Sequence, residues 1–79
     1  MNKLIQVLEE VFKGKLPNLN DFDGPETIAE WDSFNHMIMV TALEKKFNVK
    51  ITTDDVMAMT SIGNIKNILK AHGVPDFSE

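Results

Sequence analysis

A chain of 79 residues makes one small domain, which buries only roughly 60% of the surface its unfolded form exposes. Without cysteine it has no disulfide, thiolate nucleophile or Cys-based metal site, so any thiol chemistry must use a sulfur brought from outside the chain. Twelve Asp and Glu against eight Lys, with no Arg, leave a net charge of −4, which argues against a nucleic-acid partner.

No apolar run reaches the length of a membrane span. The first thirteen residues are an amphipathic mix rather than a basic segment, an apolar block and a cleavage site. These features, with the missing cysteines, place the chain in the cytoplasm as an expectation.

Leu4, Ile5, Leu8, Val11 and Phe12 recur at helical spacing after Asn2, a plausible cap, and the pattern stops at Gly14. This is the first predicted helix. From Lys15 to Trp31 the composition turns to Pro, Asn, Asp and Gly, a long loop whose Leu16, Leu19, Phe22, Ile28 and Trp31 are expected to tuck into a core. Loops of this length are commonly functional. Asp21, Asp23, Glu26, Glu30 and Asp32 fall here without one base, which makes the approach to Ser33 locally negative.

Asp32 then reads as the N-cap of a helix from Ser33 to about Phe47. Its carboxylate can accept from free first-turn amides, and Lys45 and Lys46 suit the dipole at the other end. Further on, Thr53 is expected to cap a short helix with Asp54 and Asp55 in its first turn, ending by Met59. A strand over Val49 to Thr52 has no clear partner. Ser61 caps a last helix that carries Ile62, Ile65, Ile68 and Leu69 on one face and ends at His72 and Gly73, with Pro75 beyond.

The expected fold is all-α, a small bundle of three longer helices plus one short helix. Residues 1–74 form a single domain and 75–79 a loose tail; no internal repeat or linker is expected.

On a wheel of about 100° per residue, His36, Met39, Val40, Leu43 and Phe47 of the second helix share one stripe. Phe34, Met37, Ile38 and Thr41 cluster opposite, beside the turn that carries Ser33. Two apolar faces mean a helix buried all round or one with a docking patch, and in so short a chain the patch is the reading taken. His36 is read as a core or boundary residue. Ser33 stands where free amides and the positive end of the dipole favour an attached phosphate, although an Asp-Ser pair also simply caps a helix.

In this order the segments, with "WDSF" opening a helix that continues "MVTALEKKFNVKIT", then "DDVMAM" and "TSIGNIKNIL", resemble the acyl carrier protein family, including its peptidyl carriers. The resemblance covers nearly the whole chain. The family pattern has Asp-Ser-Leu at that helix start, and its serine receives 4'-phosphopantetheine from coenzyme A. By position that serine is Ser33, beside Asp32.

The resemblance implies a carrier rather than an enzyme, likewise a monomer, with acyl or aminoacyl groups held as thioesters on the borrowed thiol. Its partners would be a phosphopantetheinyl transferase and acyl-loading, acyl-transfer or condensing enzymes, some gripping Phe34, Met37 and Ile38. Two departures stand out. Phe34 replaces the usual leucine, while Ile38, Lys45 and Lys46 occupy positions that are often acidic, leaving Glu44 as the helix's one acid. Enzymes of housekeeping fatty-acid synthesis typically dock basic patches on an acidic second helix, so a specialised biosynthetic pathway is expected instead.

Rival readings are an unmodified interaction module using the same apolar face, and a calcium loop. Asp21, Asp23, Gly24 and Glu30 match four EF-hand positions, but Leu19 stands at the first ligand and offers no oxygen. No metal site is expected. The flexible methionines invite a core that adapts to an acyl chain, against the plainer reading of ordinary packing.

Overall fold

The computed structural model describes residues 3–14, 16 and 19–74. Four helices follow in order: α1 (Lys3–Phe12), α2 (Ser33–Phe47), α3 (Thr53–Ala58) and α4 (Ile62–Ala71), with no strand among the described residues. The all-α expectation holds. The Asn2 cap and the tail at 75–79 lie outside the described residues. Among those described, no helix is long and apolar enough to cross a membrane.

The core forms where the apolar stripes meet. Leu4, Val7, Leu8, Val11 and Phe12 of α1 face Met39, Val40 and Leu43 of α2, with Ile62, Ile65 and Leu69 of α4 closing the third side. Met39 and Met59 are fully buried in ordinary packing. From the loops, Ile28, Trp31 and Ile51 are buried and Leu16 and Leu19 are partly covered. Phe22, expected to tuck in, is 93% exposed. It sits at the tip of a turn in which Asn20 Oδ1 accepts from the Phe22 amide, while the carbonyls on either side of it, Asp21 and Asp23, accept from Gly63 N and Ile62 N of α4. Docking that turn on the start of α4 leaves the Phe22 side chain outside.

The same docking explains Gly24. A Cβ there would lie 2.6 Å from the Thr60 carbonyl, so only glycine lets the loop approach this closely. Two acidic residues of the loop are tied into this structure. Asp21 pairs with Lys66 at 2.8 Å, and Asp23 accepts from the Asn20 amide and the Thr27 hydroxyl. Among the described residues no cluster of His, Asp or Glu is arranged to hold a metal.

Helix ends follow a common device. α1, α2 and α4 each close on a left-handed residue, Lys13 (φ 57), Asn48 (φ 54) and Gly73 (φ 91). In each case the next amide returns to a carbonyl in the last turn: Gly14 to Glu9, Val49 to Glu44, and Val74 to Leu69. At the end of α1 the left-handed position therefore falls on Lys13 and not on Gly14. The two glutamates then act again, Glu9 accepting from the Leu16 amide and Glu44 from the Ile51 amide, both at 2.8 Å. The sequences EEVFKGKL and EKKFNVKI are thus two copies of one helix terminator.

α3 is capped one residue earlier than expected. Thr52 Oγ1 accepts from Asp55 N while Asp55 Oδ2 accepts from Thr52 N, a reciprocal box that requires an acid three residues after the cap. Thr53 has Val56 at that place and cannot form it.

Candidate functional site

The start of α2 is held from several directions. Asp32 is its N-cap, with Oδ1 accepting from Asn35 N at 2.8 Å, and its carbonyl takes the His36 amide. The Asn35 side chain reaches back to the Glu30 carbonyl at 2.7 Å, which pins the incoming loop. Ser33 therefore occupies the first position of a rigidly started helix and is exposed. Its hydroxyl, its amide and that of Phe34 have no hydrogen-bond partner among the described residues. A free hydroxyl beside free amides at the positive end of a 15-residue helix fits a phosphodiester. No described side chain is hydrogen-bonded to that hydroxyl to deprotonate it.

Behind Ser33 stands an arrangement that no sequence period announces. Trp31, 3% exposed and packed on Phe12, donates from Nε1 to His36 Nδ1 at 2.8 Å. His36 Nε2 meets the Val56 carbonyl at 2.9 Å. The indole can only donate and the carbonyl can only accept, so the ring meets a donor on one side and an acceptor on the other. One half-buried ring thus joins the loop, α2 and α3, and His36 is the boundary residue the helix wheel suggests. On the far side of α3, His72 Nε2 lies 2.6 Å from Asp55 Oδ2. That hydrogen bond holds the Asp55 carboxyl below its ordinary value of 3.8, outweighing the opposite push of burial, with the Thr52 bonds adding to the fall. Signals for these contacts were absent from the sequence, since they join residues five, twenty and seventeen positions apart.

The outward face of α2 is open. Phe34, Met37 and Ile38 are 76%, 53% and 41% exposed, opposite the buried Met39, Val40 and Leu43. They line a shallow groove of about 490 Å³ with Thr41, Ala42 and Lys45. A second groove of about 490 Å³ adjoins Ser33, lined by Pro25, Trp31, Asp32, Ser33, His36 and Met37. Met37 separates the two. The structure thus brings Asp32, Ser33, Phe34, Met37 and Ile38 to one continuous surface.

The backbone course matches the solution NMR structure of the holo acyl carrier protein from Geobacter metallireducens with a TM-score of 0.80. The fold is that of an acyl carrier protein. Identity between the two chains is 20%, and the match covers 87% of this chain and 79% of the other. No protein-family model and no curated protein matches the sequence. Within this fold, Ser33 opens the second helix.

Proposed function

We propose that this chain is a carrier protein and not an enzyme, holding acyl or aminoacyl intermediates as thioesters on a 4'-phosphopantetheine arm attached to Ser33. The observation that carries the reading is the exposed Ser33 hydroxyl, unpartnered among the described residues, at the start of α2 in a fold shared with a holo acyl carrier protein. The arm supplies the thiol that a chain without cysteine lacks. A separate phosphopantetheinyl transferase, using coenzyme A and Mg²⁺, supplies the base and the electrophile; among the described residues no side chain is hydrogen-bonded to the Ser33 hydroxyl. Residues 1–74 act as one carrier unit, monomeric and cytoplasmic.

A specialised pathway suits this surface better than housekeeping fatty-acid synthesis. The outward face of α2 offers Phe34, Met37 and Ile38 to acyl-loading, acyl-transfer or condensing enzymes, and its one acid is committed elsewhere, Glu44 accepting from Ile51 N. The exposed face equally supports a second reading, an unmodified interaction module. Incubation with coenzyme A and a broad-specificity transferase, followed by intact-mass measurement, separates them: a carrier gains one pantetheinyl group, and an interaction module gains none.

A further inference from the structure

The charges along α2 are ordered. At the Ser33 end stand the exposed carboxylates of Glu30 and Asp32. From Phe34 to Leu43 there is no Asp, Glu, Lys or Arg, and both ring nitrogens of His36 are turned inward to Trp31 and Val56. The lone acid of the helix, Glu44, is half-buried and turned to the Ile51 amide. Lys45 and Lys46 remain, both exposed, with Lys45 closing the apolar groove about 18 Å from Ser33 at 1.5 Å per residue.

We infer that the partner surface docking on α2 is an apolar ridge with an acidic group at the end remote from its reaction centre, seated over Phe34, Met37, Ile38 and Lys45. The apolar middle sets the footprint and Lys45 sets the direction. A partner docked the other way round would place its acids against Asp32 and Glu30, a like-charge contact that disfavours that orientation. A uniformly basic ridge would face Lys45 with no carboxylate of α2 to meet it. The inference rests on the carrier reading only for what the partner does once docked. Modification of Ser33 has no part in the readout below, so either can fail while the other stands.

The test titrates the ¹⁵N-labelled full chain with two synthetic amphipathic helical peptides of identical leucine-isoleucine face. One ends in glutamates and the other in lysines, at roughly physiological salt. The glutamate peptide is expected to bind about two- to fivefold more tightly, the worth of one exposed ion pair at Lys45, with amide shifts along Phe34 to Lys45. The net charge of −4 pulls the lysine peptide nonspecifically, so this preference cannot arise from overall charge. Lys45→Glu with Lys46→Glu should reverse it, and Ile38→Ser should weaken both peptides about tenfold while leaving the spectrum dispersed. Equal affinities, tighter binding of the lysine peptide, shifts mapping off α2, or no shift with either peptide overturns the inference.

Discussion

α2 and α3, joined by the contact of His36 with the Val56 carbonyl, are held by opposite means. α2 sinks Met39, Val40 and Leu43 into the core, whereas α3, six residues long, has no buried side chain. It is kept in place by the Thr52–Asp55 box, by His36 reaching its Val56 carbonyl and by His72 gripping Asp55, with half-buried Val56 as its apolar contact. Apolar burial scales with area and ties a helix to the global transition, while a few half-exposed polar bonds permit local opening. The chain's two histidines both serve the weaker helix. The difference teaches that α2, with Ser33 at its head, is the fixed platform and α3 the element that opens first.

Substitutions that strike each attachment break or sharpen this contrast. Leu43→Ala empties a fully buried site of α2 and should cost about 2–5 kcal/mol, lowering the whole denaturation curve with all helices melting together. His36→Leu leaves the buried Trp31 N–H and the Val56 carbonyl without their partner. The expected loss is about 1–3 kcal/mol, with hydrogen exchange quickening most in α3; uniform quickening across all helices would remove the special role given to that ring.

Asp32→Ala removes the cap of α2 and should cost about 1 kcal/mol by thermal melting, with slower transferase modification because the acidic approach to Ser33 is reduced. Unchanged melting and unchanged rate would take Asp32 out of the account. The smallest effect is that of acid on α3. Asp55 has its folded pKa lowered, so its contribution is complete above 3.8 and fades as pH falls from there through the lower folded value. Amide protection in α3 should decline over that window in the wild type and stay flat there in Asp55→Asn, as hydrogen exchange can check.

Much of this was legible in the sequence because it is local. The period of α2 separates the stripe of Met39, Val40 and Leu43 from Phe34, Met37 and Ile38, and the side chains at Asp32 and Ser61 mark two helix starts. The cap of α3 differs from expectation because a neighbouring residue meets the local rule better: Thr52 has Asp55 three places on and Thr53 does not. Phe22 shows a different failure, since an apolar residue at the tip of a docked turn has no room to fold inward. The ties that hold α3 were hidden for a third reason. Trp31, His36 and Val56, or Asp55 and His72, meet only after the chain has folded, and no spacing in the sequence encodes them.

The claim on which the functional account stands is that Ser33 accepts the arm. Wild type and Ser33→Ala should be incubated side by side with coenzyme A, Mg²⁺ and a broad-specificity transferase, then compared by intact mass and by fragmentation of the peptide spanning Asp32 to Phe34. The account predicts one pantetheinyl group on the wild type, located on Ser33, and none on the variant. A modified variant, or a wild type left unmodified by several transferases, contradicts it.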